Sequence, residues 1–239
     1  MQFAVPSKGR AGACKTQNIL KSCVFYVPEN EVGIYKKAYQ KQNVVGVPCA
    51  VRGITATRNW ILKNTDDKRI VMVDDDVKNQ GFVKLFAEKA KHKKMTELGW
   101  VFLCERLFDV VEDLGWKIWG VSTQSAPRSV YPYKPILTRS YVTASFMGVV
   151  NDGSYMFDES FTVKEDYEIG LRHVKEFGGV LCYRGAYWEN SHWGDEGGCK
   201  DYRTGEIENK CIKKLVKMYP GQIRRVTRGG SGYSIDLEF

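Results

Sequence analysis

No apolar run in this chain approaches the roughly 18 to 20 residues that a membrane-spanning helix needs. No CxxC pair occurs among its seven cysteines, which sets structural zinc aside. Their odd number, and the scatter of Cys14, Cys23, Cys49, Cys104, Cys182, Cys199 and Cys211 among predicted strands and helices, is no disulfide framework. Most are expected to be small buried apolar residues. The opening Met1-Gln2-Phe3-Ala4-Val5-Pro6-Ser7 lacks the basic region and apolar core of a secretory signal and reads as a first strand. These absences point to a cytoplasmic protein. There is no internal repeat, low-complexity tract or clear linker either, so residues 1–239 are expected to form one domain with ample core.

What is present is charge and alternation. The 43% hydrophobic, 27% charged composition is that of a globular protein. A net charge of +8 points to a polyanionic partner or substrate. The positive residues gather twice: at Lys84, Lys89, Lys91, His92, Lys93 and Lys94, and again at Lys210, Lys213, Lys214, Lys217, Arg224, Arg225 and Arg228. Clustered lysine and arginine attract phosphate backbones without regard to sequence. Either cluster alone reads sooner as a solvated face; the two together in a basic chain make nucleic acid an option.

Short apolar strands and helical stretches alternate through the first third of the chain: strand 3–6, helix 16–22, strand 23–28, helix 29–42, strand 44–48, and a helix starting at Thr55 or Thr57. This βα pattern predicts a Rossmann-like, mostly parallel sheet flanked by helices. Residues 78–98 are polar and lysine-rich and read as an insertion. Further on come a helix over 100–114, strands over 116–121 and 141–150, and a helix over 204–219. Gly229-Gly230-Ser231-Gly232 opens a predicted tail over 229–239.

Arg69-Ile70-Val71-Met72-Val73-Asp74-Asp75-Asp76 stands out in this pattern. It is a buried strand that delivers three consecutive carboxylates at its carboxyl end, where open α/β sheets bind their ligands. Three adjacent carboxylates repel one another unless positive charge sits among them. Mg2+ or Mn2+ typically shares such acids with a substrate's phosphates, so a metal-bridged diphosphate is expected here. Three more signals frame it. Pro6-Ser7-Lys8-Gly9-Arg10 offers backbone N–H groups and a cation after the first strand. Gly53-Ile54-Thr55-Ala56-Thr57-Arg58-Asn59 opens the helix before the acidic strand. Val163-Lys164-Glu165-Asp166 begins a later helix with acids at its positive end.

In this order the motifs resemble a glycosyltransferase of the GT-A fold, over roughly residues 2 to 195. Pro6-Ser7-Lys8-Gly9-Arg10, the triple Asp, the KEDYEIGLR segment and the SHWGDEGG segment look more narrowly like the TET-associated glycosyltransferases. Those are found largely in bacteriophages and are thought to glycosylate hydroxymethylated pyrimidines in DNA. The resemblance implies a nucleotide-sugar-binding half over 1–77 and a mixed acceptor and catalytic half over 99–228. It implies donor contacts from Pro6, Ser7, Arg10, Arg58, Asp74 and Asp75, and a Mn2+ or Mg2+ ion on Asp76, Asp74 and His192. The catalytic base of an inverting transfer is then Asp166 or its neighbour Glu165. The implied donor is a UDP-sugar, the implied acceptor a 5-hydroxymethylpyrimidine in DNA, and the implied location the host cytoplasm if the chain is phage-encoded.

Trp193, Lys200 and Arg203 follow as acceptor or phosphate contacts. Tyr187, Trp188 and Tyr202 are available to stack on a sugar or an extruded base, or to pack a core. Three other functions fit the residues: transfer to a glycan, lipid-linked or protein acceptor, nucleotidyl transfer on the same acids, and nucleic-acid binding without catalysis.

Overall fold

Five-residue apolar runs build one side of a single sheet. In the computed structural model, which describes residues 1–86, 89–125, 134–191, 203–226 and 234–237, β1 (Gln2–Pro6), β2 (Val24–Pro28), β3 (Asn43–Val47) and β4 (Arg69–Val73) lie in the order β3-β2-β1-β4. All three pairings are parallel. The connections are a 3-10 turn at Thr16–Asn18, a 3-10 turn at Glu29–Glu31 running into α1 (Val32–Ala38), and α2 (Ile54–Lys63).

Beyond β4 the sheet becomes mixed. Its order continues through β9 (Phe146–Val150), β7 (Ile118–Ser122), β10 (Leu181–Asn190), β5 (Val77–Phe86) and β6 (Lys89–Lys93), and β8 (Ile136–Leu137) pairs with β10, ten strands in all. β9 runs against both β4 and β7, and β5 against β10. β1 to β4, β7 and β10 point the same way, so their carboxyl ends share one edge.

Two cores cover the two faces, and β4 shows how period-2 geometry divides a wholly apolar strand between them. Val71 and Val73 join Phe3, Val5, Tyr35 and the apolar stripe Trp100, Cys104, Phe108 and Val111 of α3 (Glu97–Asp113). Ile70 and Met72 join Ile61 and Leu62 of α2 and Ile169 of α4 (Glu165–Phe177). Each such fully buried side chain contributes about 1.5–3 kcal/mol. A third cluster joins Phe161, Val163 and Leu171 to Cys211, Ile212 and Leu215 of α5 (Gly205–Met218). A separate hairpin, β11 (Ile223–Val226) and β12 (Ser234–Leu237), adds Ile235 to it.

Several elements differ from the sequence reading. The 78–98 stretch is the β5–β6 hairpin and the first turn of α3, with β5 paired to β10. Buried Gln80 ties it down: its Oε1 accepts from the Trp100 indole N–H at 2.8 Å, and its amide donates to the Met95 carbonyl at 3.1 Å. The expected helix 29–42 is a 3-10 turn plus seven helical residues, and the strand expected from Tyr141 starts at Phe146. Within the predicted tail, Ser234–Leu237 is a paired strand. Among the described cysteines all but Cys49 are buried, and none is paired. No helix among the described residues is long and apolar enough to cross a membrane.

Candidate active site

The chain leaves β4 at Asp74, and three neighbouring segments fasten the acidic turn by its main chain. Asp74 N–H donates to the Ser145 carbonyl at 3.1 Å, and its own carbonyl accepts from the Thr16 hydroxyl at 2.6 Å. The Asp75 carbonyl accepts from Lys15 N–H at 2.9 Å, and the Asp76 carbonyl from Ser191 N–H at 3.1 Å. With the backbone held on both sides, each carboxylate is aimed differently.

Asp75 points inward and is buried. One oxygen accepts from the Ser7 hydroxyl and the other from the Arg10 guanidinium. Ser7 in turn lies 2.7 Å from the Tyr35 hydroxyl, and Tyr35 accepts from Arg10 N–H at 3.0 Å. Burial raises the Asp75 carboxyl above its ordinary range, against the opposing pull of Ser7 and Arg10. The loop after β1, which begins where Pro6 ends the strand, is thus locked onto the acidic turn.

Asp74 and Asp76 remain at the opening, with Asn190 between them. The Asn190 amide donates to Asp76 at 2.6 Å and lies 3.5 Å from Asp74. Two carboxylates facing one amide fix its orientation, because only its NH2 can donate. The buried Oδ1 consequently has no hydrogen-bond partner among the described residues. Arg58, 4% exposed, spans from Asp74 at 3.1 Å to Glu165 at the first turn of α4. Burial, then the neighbouring acids, push Asp74 up to about 7 against Arg58. Its side chain is still 33% exposed, so the pocket mouth admits water that moderates this effect. Burial likewise raises Glu165, again opposed by Arg58.

The TET-associated glycosyltransferase family model matches residues 1–196. The chain belongs to that family. It is therefore a glycosyltransferase. The solved structures it is similar to carry the GT-A fold. S. aureus TarS 1-349 in complex with UDP-GlcNAc is 11% identical with a TM-score of 0.55, covering 90% of this chain and 67% of that one. Glucosyl-3-phosphoglycerate synthase from Mycobacterium tuberculosis, in complex with phosphoglyceric acid, is 9% identical with a TM-score of 0.56, covering 99% and 85%. The same synthase with Mn2+, UDP and glucosyl-3-phosphoglycerate gives 10% and 0.54, covering 90% and 79%. No curated protein matches the chain.

In this TET-associated glycosyltransferase the two acids of the Glu165-Asp166 pair have different surroundings. Glu165 is buried and engaged by Arg58. Asp166 is half-buried; its Oδ2 accepts from the Tyr141 hydroxyl at 2.6 Å and its Oδ1 from Tyr167 N–H at 2.9 Å. Burial and the adjacent Asp166 hold the Tyr141 phenol well above its ordinary pKa, so it stays protonated and donating. Arg58, expected at the nucleotide, turns its guanidinium to Glu165 and Asp74. Trp188 and Tyr187 are core residues: Trp188 packs on Trp100 and Phe146 at ring distances of 5.4 and 4.8 Å. Arg203 pairs with Glu208 at 2.6 Å. His192, Trp193, Lys200 and Tyr202 lie outside the described residues.

Asn190 carried no motif in the sequence, and its place at the acids follows only from the register of β10 against β5, where Asn190 faces Val77. Among the described residues no three His, Cys, Asp or Glu side chains converge as a metal set. What Asp74 and Asp76 bring to the Asn190 NH2 is a pair of carboxylates, and such oxygens suit Mg2+ or Mn2+.

Proposed function

We propose that the protein transfers a sugar from a UDP-sugar to the hydroxymethyl group of a 5-hydroxymethylpyrimidine in DNA, with inversion at the anomeric carbon. The observation that carries this reading is the division of labour among the acids. Asp74 and Asp76 face a water-accessible opening at the strand ends, while Asp166 stands on the first turn of α4, linked to them through Glu165 and Arg58. The TET-associated family and the charge of +8 support DNA as acceptor.

Asp76, with Asp74 and His192, would hold Mn2+ or Mg2+, which would neutralise charge gathering on the leaving diphosphate, and the Asn190 amide would orient the two carboxylates. The loop after β1 would lie beside the nucleotide, and the Asp75–Ser7–Arg10 lock keeps that loop closed against the acids. Asp166 takes the proton of the acceptor hydroxyl as its oxygen attacks the anomeric carbon and the bond to the diphosphate breaks. Tyr141 holds the carboxylate in place from one side. Glu165 keeps Arg58 between itself and Asp74, so it acts on the base only by position.

A glycan or protein acceptor is a second reading, favoured by one observation. The turn end of the lysine-rich hairpin lies away from the opening: β5 starts beside Asp76 and, being antiparallel to β10, carries Lys84 toward the opposite sheet edge, while β6 returns Lys93 and Lys94 to the level of Phe82 and Asn79.

A mass-spectrometric transfer assay tests both. Protein, Mn2+ and a panel of UDP-sugars meet duplexes carrying cytosine, 5-methylcytosine, 5-hydroxymethylcytosine or 5-hydroxymethyluracil. A sugar-sized mass gain confined to a hydroxymethyl base is the expected result. UDP-sugar hydrolysis without any DNA product would move the acceptor to the second reading. Asp76→Asn is expected to abolish metal-dependent UDP binding in calorimetry. Asp166→Asn is expected to bind donor normally and lose transfer by at least 100-fold.

A further inference from the structure

The C-terminal elements lie beyond residues 1–196, the span the family model matches, yet they meet α4 where the proposed base sits. Lys164, the residue just before that helix, has φ 66° and ψ 18°, the left-handed region. It is the one non-glycine residue with positive φ among those described. A lysine resists this conformation, so something else must hold it there.

That hold comes from α5. Glu208, in its first turn, has a side chain only 6% exposed, and the Lys164 ammonium, on a side chain 10% exposed, lies 3.2 Å from its Oε2. The other oxygen accepts from Arg203 Nε at 2.6 Å. Thr204 caps α5, its hydroxyl accepting from Ile207 N–H, which keeps the Glu208 turn formed. From Lys164 the contacts run on to the base. The ammonium sits 5.2 Å from the centre of the Tyr167 ring, Tyr167 stacks on Tyr141 at 4.1 Å, and Tyr141 donates to Asp166. Tyr167 itself packs against the apolar cluster that α5 and the β11–β12 hairpin complete.

We infer that Glu208 is a positioning residue for the transfer reaction: by holding the Lys164 backbone left-handed at the start of α4, it sets the Tyr141–Asp166 pair in register for the acceptor hydroxyl. The C-terminal segment then belongs to the working site. This rests on Asp166 being the base, and the two ideas separate experimentally.

Glu208→Gln keeps shape and volume but removes the charge that holds Lys164. Full-length protein is read two ways: amide hydrogen exchange over residues 163–168, and steady-state transfer with the donor varied. The expected result is faster exchange confined to that turn, kcat down at least tenfold, and KM for the UDP-sugar within twofold. Lys164→Gly supplies a residue that adopts this conformation unaided. The double variant Lys164→Gly/Glu208→Gln is therefore expected to recover most of the lost kcat, which a purely stabilising ion pair would not allow.

Unchanged exchange with Glu208→Gln overturns the inference. So does faster exchange with unchanged kcat, or a kcat that the glycine fails to restore. Asp166→Asn serves as the control. If it keeps full transfer, the base assignment falls, while the exchange of the 163–168 turn still reports whether Glu208 holds it.

Discussion

Single side chains decide the character of this pocket, and Asn190 is the most consequential. It supplies the hydrogen-bond donor that lets Asp74 and Asp76 sit together, and it presents the opposite oxygen unpaired. Asn190→Leu removes both, so Mn2+ affinity is expected to fall by about 10- to 100-fold, the usual cost of losing such a partner at a metal site. Titration of Mn2+ in the presence of UDP reads this directly, and unchanged affinity would return Asn190 to a purely structural place.

A different residue contributes to acid sensitivity. His173 Nε2 accepts from Lys117 N–H at 2.9 Å, so its Nδ1 carries the proton and donates to the Gly179 carbonyl at 2.6 Å. Burial depresses its pKa to about 4, below the ordinary 6.5. The folded state therefore binds this proton less well than the unfolded chain. The stability from neutral His173 is complete above pH 6.5 and is lost as pH falls toward 4, by roughly 3 kcal/mol. Urea unfolding at pH 7.5 and 4.5 is expected to show that loss, and His173→Gln to shrink it.

Among the elements, the central strands leave least room for change. At Gly148 of β9 an added Cβ would meet the Trp119 indole of β7 at 2.0 Å. Gly148→Ala is therefore expected to cost about 1–3 kcal/mol by overpacking, seen as a lowered Tm. β1, β2, β4 and α3 were legible because burial on both faces, or a 3.6-residue stripe, writes itself into composition. β5 and β6 were not legible, because their lysines resemble an exposed loop and the buried residue that anchors them is a glutamine. β10 was missed for a related reason. Its polar and apolar residues mix, and the strand is held by partners on both sides rather than by its own pattern. The Glu165-Asp166 pair was visible as a motif, but its two acids are told apart only by Arg58 and Tyr141, which lie 107 and 25 residues away in sequence, respectively.

At the scale of the whole molecule, the turn end of the lysine-rich hairpin stands apart from the site. β5 is ten residues long, so its far end stands ~30 Å from the acidic turn where it begins. Lysines on an edge hairpin also guard against strand-to-strand association. Lys84→Glu with Lys91→Glu is accordingly expected to leave transfer kcat/KM within about twofold while raising aggregation-prone behaviour in light scattering. A large loss of kcat/KM would instead place the acceptor along the hairpin.

The same view shows where the molecule is stitched together. α2 sends three buried side chains across to the segment that leads into α4: Thr55 donates to the Phe161 carbonyl at 2.7 Å, Asn59 to that of Phe157 at 2.9 Å, and Arg58 holds Glu165. The helix at Ile54–Lys63 is therefore matched to residues about a hundred positions later in the chain. Recombination between relatives at a crossover placed after Asp76 would separate these partners, and a viable hybrid would have to inherit α2 and the 157–165 segment from the same parent.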